Sequence, residues 1–207
     1  MSRDPARALT QFFGGRVCLD FANTLDWRTS SEPQELIPDY STFLLWSRLR
    51  GTLPPRSAER LEALGRTNDA AARAVMAEAH RLRAEIWSIA ASLRAARAAD
   101  LGAVNALIAS LPAQPRVIEE RGAYLYDLRG LDLREPLWPV LWSLTAVLAS
   151  RDAGRLGCCQ AEGCGWLFVD ESPNRARLWC SSEICGNRER ARRAYAKRRS
   201  APPVREA

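Results

Sequence analysis

Two pairs of cysteines near the end of the chain constrain its fold more than any other feature. Cys159 and Cys164 enclose four residues, Cys180 and Cys185 enclose another four, and fifteen residues separate the two pairs. A tetrahedral Zn²⁺ site needs four thiolates that converge on one point, and two tight turns joined by a hairpin bring them together at a small cost in loop entropy. The spacing therefore predicts one structural zinc ion bound by the four cysteines.

These cysteines have alternative uses. Two disulfides are the main one, but disulfide-rich chains are short, secreted and dense in cysteine. An iron–sulfur cluster is another, although the spacing differs from the common ferredoxin runs. Cys158 adjoins Cys159 and either could be the first ligand; we choose Cys159 because it makes both turns the same length. Four cysteines without a histidine or carboxylate favour a closed structural site over a catalytic one.

The positions of the cysteines also divide the chain. Five of the six lie within 28 consecutive positions, so the residues before about 150 must fold by hydrophobic burial alone. They are suited to it, because 47% of the chain is apolar and five of the seven tryptophans lie in that part. We predict an α+β protein with four segments: 1–9 disordered, 10–152 mainly helical with a small β-hairpin or sheet, 153–199 a zinc module with a basic helix, and 200–207 a disordered tail.

Hydrophobic spacing predicts the elements of the N-terminal domain (residues 10–152). Val17, Leu19 and Phe21 alternate with other residues as in a half-buried strand, although the same stretch could open a helix. Two β-favouring runs around a turn at Gly122 predict a hairpin over 116–128. Apolar residues at helical spacing predict several helices, and an almost uncharged run predicts a central helix that is buried on all sides. The predicted helices cover residues 39–49, 57–65, 69–99, 101–108 and 137–150.

The zinc module (residues 153–199) is predicted to contain a hairpin followed by a helix. Trp166–Val169 and Arg177–Trp179 are its two predicted strands. Glycines on either side of Cys164 let the backbone turn back so that its N–H groups face the sulfurs. A serine ahead of Cys185 can cap the turn that holds it, and Asn187 can cap a second helix. This order resembles a treble-clef finger.

Basic charge is concentrated in the zinc module. Residues 175–199 contain nine basic and two acidic side chains, a net charge of +7 against +6 for the whole chain. Four thiolates and one Zn²⁺ carry a net negative charge, which accounts for roughly two or three of the basic residues. The excess predicts nucleic-acid phosphate as the partner, with an acidic protein or no specific partner as alternatives. The predicted contact residues are Arg175, Arg177, Asn187, Arg188, Arg190, Arg192, Arg193 and Lys197.

A polar cluster in the N-terminal domain is a candidate ligand pocket. Asp20, Asn23, Asp26 and Trp27 could line it, and a capping role for Asn23 or Asp26 is the structural alternative. His80 is the only histidine, and no nucleophile stands beside a base. We therefore predict no catalytic residues and no enzyme activity.

The location of the protein is predicted from what its sequence lacks. Residues 1–15 contain no apolar run of useful length, and no stretch approaches the ~18 apolar residues of a membrane helix. We expect no signal peptide, no membrane span and a cytoplasmic location. In a reducing compartment clustered thiols are more often metal ligands than disulfides.

Two parts of the chain resemble one known family. The stretches Cys164–Asp170, Trp179–Cys180 and Cys185–Arg188, the last of which reads Cys-Gly-Asn-Arg, resemble the CGNR zinc finger. The stretches Gly14–Arg16 and Leu19–Trp27 are similar to the ABATE domain that accompanies this finger in bacterial proteins. The members of the family are described as stress-induced transcription regulators.

The resemblance implies a zinc-bound, DNA-binding finger attached to a mainly helical domain. The family's ligands fall on Cys159, Cys164, Cys180 and Cys185, and the doubled Cys158–Cys159 departs from its pattern. We therefore predict a DNA-binding transcription regulator whose N-terminal domain senses a small-molecule effector or forms a homodimer. The alternative is a zinc-finger adaptor that binds RNA or an acidic protein partner.

Overall fold

A computed structural model describes residues 5–110, 116–120, 122–127 and 132–200, and it has the predicted α+β architecture. Its strands pair in consecutive order into two-stranded antiparallel sheets. The helices are α1 (Pro5–Ala8), α2 (Val17–Ala22), α3 (Tyr40–Leu49), α4 (Pro55–Thr67), α5 (Asp69–Arg94), α6 (Gly102–Ser110), α7 (Leu137–Leu148) and α8 (Asn187–Ser200). The strands are β1 (Leu25–Asp26), β2 (Gln34–Glu35), β3 (Arg116–Glu120), β4 (Ala123–Asp127), β5 (Leu156–Cys158) and β6 (Leu167–Val169).

The N-terminal domain packs around α5, its longest described helix. Asn68 caps α5 by accepting a hydrogen bond from the backbone N–H of Ala71, and the apolar residues of one face are buried at three- and four-residue steps. Helices α2, α3 and α4 contact α5, and α2 also contacts α7. The rings of Phe21 and Phe43 lie 5.6 and 6.2 Å from that of Trp46. These aromatic contacts join α2 to α3 in the core.

The strand predicted for Val17–Phe21 is wrong, and the helix that was its alternative is observed, because these residues form α2. Cys18, Leu19, Phe21 and Ala22 are all buried, since α2 lies against α5, α7 and β6. A short helix that is covered on several sides shows no continuous polar face, so its sequence carries no clear helical period.

The N-terminal segment also differs from its prediction of disorder over residues 1–9. Pro5–Ala8 form a helix, and Ala8 and Leu9 are buried in the core. Ser200, the first residue of the tail predicted to be disordered, is the last residue of α8. The other residues with this prediction, 1–4 and 201–207, lie outside the described residues.

Several predicted elements of the N-terminal domain are confirmed. Asp39 caps α3 by accepting from the N–H of Thr42, and β3 pairs with β4 on either side of Gly122. The predicted helix over 137–150 is α7, but it is buried on one side only, because the Trp142 side chain is 47% exposed. Among the described residues, no helix has the length and apolar character needed to cross a membrane.

The hairpin of the zinc module joins different strands from those predicted. β6 pairs with β5, not with Arg177–Trp179, which form no strand. The other edge of β6 is also filled, because the backbone of Leu167 pairs with the Asn23 side chain and the N–H of Val169 donates to the carbonyl of Gly14. A third segment therefore has no free edge to join.

β6 is shared by two hydrophobic cores. Leu167 and Val169 belong to the core of the N-terminal domain, whereas Trp166 and Phe168 belong to a second core that contains the four clustered cysteines. Successive side chains of a strand point to opposite faces, so one short strand contributes to both cores. The uninterrupted apolar run Trp166–Val169 is explained by burial on both faces.

Candidate metal centre

The four predicted ligands converge on one point. The sulfurs of Cys159, Cys164, Cys180 and Cys185 all lie within 4.8 Å of one another, and each residue is buried. Three of the Sγ–Sγ distances are 3.8, 3.5 and 3.7 Å. Four sulfurs at a Zn–S distance of about 2.3 Å in tetrahedral geometry would be ~3.8 Å apart. The arrangement fits one structural zinc ion, and a disulfide, at about 2.05 Å, requires a much closer approach.

The chemistry of the cluster also favours a cation. Four buried thiolates within 4.8 Å of one another would repel each other strongly. A divalent metal ion offsets this repulsion, because it binds all four sulfurs as thiolates.

The other two cysteines lie outside the site. Cys158 lies in β5, where burial raises the pKa of its thiol, and its sulfur points toward the Cys159 carbonyl at 4.0 Å. Burial raises the pKa of Cys18 in α2 to about 12. Cys159 is therefore the first ligand of the cluster.

The first pair of ligands lies on a tight turn held by glycines. Gly163 and Gly165 have φ angles of +76° and +68°, a backbone conformation that residues other than glycine rarely adopt. A Cβ atom on Gly163 would also lie 2.8 Å from the Trp27 ring, and one on Gly165 would lie 2.7 Å from the Thr29 methyl group. The glycines allow both the turn around Cys164 and the close approach of the N-terminal domain.

The second pair of ligands lies at the start of the basic helix. Ser181 caps a π-helical turn, Ser182–Gly186, by accepting from the N–H of Ile184. The turn carries Cys185 and leads directly into α8. Glu189 in the first turn of α8 is buried and accepts from the N–H of Glu162 in the first ligand turn. The metal site thus fixes the base of α8 on both sides.

Arg177 is directed into the protein. Its guanidinium donates to the backbone carbonyls of Val169, Trp179, Cys180 and Phe13, the last at 3.0 Å, and it lies 4.2 Å from the Phe168 ring centroid. An arginine with these donors engaged stabilises the module and joins it to the N-terminal segment. Arg177 was predicted to lie on the nucleic-acid surface.

The other predicted nucleic-acid contacts fall into two groups. Arg188, Arg190 and Arg192 contact the zinc module itself: Arg188 donates to the Glu162 carbonyl, Arg190 to the Ser182 carbonyl, and Arg192 forms ion pairs with glutamates. The remaining positions have exposed side chains, at Arg175, Asn187, Arg193 and Lys197. Every residue from 190 to 199 is exposed.

The four residues predicted to line a ligand pocket serve the internal structure. The Asp20 carboxylate accepts from the Gly14 N–H at 2.8 Å and from Arg50 at 2.7 Å, and burial raises its pKa. Asn23 pairs with β6, and Asp26 accepts from the N–H of Trp27. The structure brings Asn23 and Trp27 against the zinc module.

The residues that join the two parts of the molecule were not predicted from the sequence. The N–H groups of Arg28 and Thr29 donate to the carbonyls of Cys164 and Gly163 at 3.2 and 3.3 Å. Trp87 in α5 donates to the Gly165 carbonyl at 3.4 Å. Backbone hydrogen bonds between distant segments leave no signal in composition or spacing. The two glycines beside Cys164 were the one available sign of a close approach.

Comparison with known families agrees with this architecture. A family model described as "Putative stress-induced transcription regulator", ABATE, matches residues 15–151, and the CGNR zinc finger model matches residues 155–198. The second match contains the four clustered cysteines, β6 and most of α8. No curated protein matches the chain. The chain therefore belongs to the ABATE family, and its C-terminal module is a CGNR zinc finger with one structural zinc site.

Proposed function

We propose that the protein is a DNA-binding transcription regulator that contacts the phosphate backbone with α8. The observation that carries this proposal is the charge of that helix. Residues 190–199 are all exposed, include six basic side chains and contain no acidic residue. Phosphate is the natural complement of such a surface, because binding releases counterions from the DNA.

The single acidic residue of α8 supports the proposal. Glu189 is buried, and its carboxylate binds the Glu162 N–H and the Arg192 guanidinium. Its charge therefore offsets that of Arg192 at the base of the helix and leaves a net excess of five positive charges over residues 190–199. A helix of 14 residues is about 21 Å long, so the basic half extends some turns beyond the metal site.

The N-terminal domain is proposed to sense an effector or to mediate dimerisation. A groove of about 410 Å³ between the β3–β4 hairpin and α7 supports this role. The described residues that line it are uncharged, and Trp142 and Tyr124 are 47% and 80% exposed. Sedimentation of the full chain distinguishes the two uses. A dimer that Trp142→Ser converts to a monomer indicates dimerisation, whereas a monomer stabilised by an apolar compound indicates a sensor.

Salt-dependent DNA binding tests the DNA-binding proposal. We expect zinc-loaded protein to bind duplex DNA with an affinity that falls steeply with salt. The variant Arg193→Ala/Lys197→Ala should bind more weakly at every sequence, and its salt slope should fall by about one to two. Fluorescence anisotropy at several salt concentrations measures both quantities.

A matched variant controls for net charge. Arg48→Ala/Arg97→Ala removes the same charge from exposed positions of the N-terminal domain and should leave affinity and salt slope close to those of the wild type. Equal losses in the two variants would contradict a specific role for α8. Tighter binding to single-stranded RNA than to duplex DNA would favour the adaptor alternative.

A further inference from the structure

The polar segment Asn23–Thr29 of the N-terminal domain holds the first ligand turn of the zinc module. The Asn23 amide donates to the Leu167 carbonyl at 2.9 Å and accepts from the Leu167 N–H at 2.7 Å, so it pairs with β6 as a neighbouring strand would. Asn23 is 3% exposed, and no water can replace these bonds without opening the interface. We call Asn23–Thr29 the socket.

The far end of the socket contacts the ligand turn itself. The N–H groups of Arg28 and Thr29 donate to the carbonyls of Cys164 and Gly163. The Trp27 ring and the Thr29 methyl group lie 2.8 and 2.7 Å from the positions that Cβ atoms on the two glycines of this turn would occupy. The socket therefore binds the backbone on both sides of a zinc ligand.

The socket also reaches the basic helix. The Arg188 guanidinium carbon lies 4.4 Å from the Trp27 ring centroid, and its Nη2 donates to the Glu162 carbonyl at 3.2 Å. Trp27 has a φ of +51°, a strained conformation for a residue other than glycine. That strain persists only where surrounding contacts hold the residue: here Asp26 and Ser30 hold its backbone, and its ring contacts the zinc module.

We infer that the socket couples the N-terminal domain to the metal centre and to the direction of α8. Asn23 and Trp27 are positioning residues: they hold the first ligand turn and the base of α8, and through them a change in the N-terminal domain alters zinc retention. The part that concerns α8 rests on the proposed DNA-binding function. The part that concerns zinc does not.

Zinc release from the full chain tests the coupling. Asn23→Asp keeps the shape and the hydrogen bond from the Leu167 N–H, but places an oxygen against the Leu167 carbonyl. We expect this variant to release zinc to a chromogenic chelator at least about fivefold faster than wild type. The matched control is Ser47→Ala, which removes another buried hydrogen bond of the N-terminal domain, to the Phe43 carbonyl. It should release zinc at the wild-type rate.

Two outcomes would contradict the coupling between the socket and the zinc site. Release rates for Asn23→Asp and Ser47→Ala that agree within a factor of about two would overturn the coupling. If Asn23→Asp fails to fold, Trp27→Leu and Trp27→Phe replace it. Trp27→Leu should release zinc faster than wild type. Trp27→Phe should release it at close to the wild-type rate, because an aromatic face still covers Gly163 and Arg188. Equal rates for these two variants would also overturn the inference.

DNA affinity tests the second part. If Arg188 acts by stacking on Trp27, then Arg188→Lys should weaken DNA binding as much as Arg188→Ala, although lysine keeps the charge. Full affinity in Arg188→Lys would show a phosphate contact instead and would refute the positioning role of Trp27 toward α8. A chain that binds no DNA but shows the zinc effect refutes the proposed function and leaves the socket intact.

Discussion

The N-terminal domain and the zinc module bury their interiors by different means. The N-terminal core contains many large apolar side chains, including Phe21, Phe43 and Trp46, drawn from several helices. The core of the zinc module has only seven buried members, and four of them are cysteines. Its remaining members are Ala161, Trp166 and Phe168.

This difference determines how each region responds to damage. A core of many apolar contacts loses stability in proportion to the area or volume removed. A core whose centre is one ion bound by four sulfurs loses most of its stabilising free energy when a single ligand is lost. The two regions should therefore differ in the size and in the cooperativity of mutational effects.

Loss of a zinc ligand should have the largest effect. In Cys180→Ser, the removal of one thiolate should reduce zinc from one ion per chain to near zero, with a loss of about 10 kcal/mol of binding free energy or more. We expect NMR signals of β5, β6 and α8 to disperse poorly while helices of the N-terminal domain persist. Elemental analysis of the purified protein measures the zinc.

The adjacent cysteine provides the control for this variant. Cys158→Ser should keep one zinc per chain, because its sulfur is not among the four that converge. Zinc lost from Cys158→Ser and retained in Cys180→Ser would reverse the assignment of the ligands.

A substitution in the N-terminal core should have the next largest effect. Phe43 is fully buried, and Phe43→Ala should lower the free energy of unfolding by about 3–5 kcal/mol while zinc stays bound. Denaturant titration followed by circular dichroism measures the loss. Leu45→Ala on the same helix is the control; its side chain is 45% exposed, so a change below about 0.5 kcal/mol is expected. Equal losses of stability in Phe43→Ala and Leu45→Ala would contradict the burial of Phe43 in the core.

The shared strand β6 places one side chain of the zinc module in the core of the N-terminal domain. Leu167 lies within the zinc module, but its side chain packs in the N-terminal core. Leu167→Ala should therefore lower the free energy of unfolding of that domain by about 2–4 kcal/mol. Leu178→Ala, at a 44% exposed position of the module, should have little effect. If Leu167→Ala destabilised the zinc module alone, β6 would not be shared between the two cores.

An ion pair of the N-terminal domain should have the smallest effect, and it depends on pH. Although burial opposes ionisation, hydrogen bonds from Arg83 lower the pKa of Glu35. Its ionised form therefore stabilises the fold above about pH 4.3, the ordinary value for glutamate, and this contribution is lost as pH falls through the lowered pKa.

The variant Glu35→Gln isolates this contribution. At neutral pH it should lower the free energy of unfolding by about 1–2 kcal/mol, and the difference from wild type should disappear in acid. Urea titrations over a pH series measure both. The zinc module should respond at higher pH, because protons compete with the metal for thiolates. A constant deficit at all pH values would exclude the ion pair as the cause.

The metal site could be predicted from the sequence because its chemistry is local. The spacing of four cysteines specifies a tetrahedral site, and the choice of Cys159 over Cys158 followed from equal turn lengths. The structure confirms both. The charge of α8 could also be predicted, because the net charge of a segment is counted from its own residues and does not depend on neighbouring segments.

The contacts between the two regions could not be predicted, because they depend on tertiary approach. Arg177 looks like the other arginines in sequence, but its donors bind backbone carbonyls of three separate segments. Asn23 looks like a helix cap or a pocket residue; it does occupy the C-cap position of α2, and its side chain also pairs with β6. The apolar run Trp166–Val169 was the best available signal of the shared strand, since an exposed hairpin would alternate.

The double role of β6 has a practical consequence for work on isolated parts. A fragment that begins after residue 152 would carry Leu167 and Val169 without their cover, and a fragment that ends there would leave a matching hollow beside α2. Both pieces would expose apolar surface that promotes aggregation. The two family matches meet near residue 153. The two matched regions should nevertheless be expressed and crystallised together in one chain.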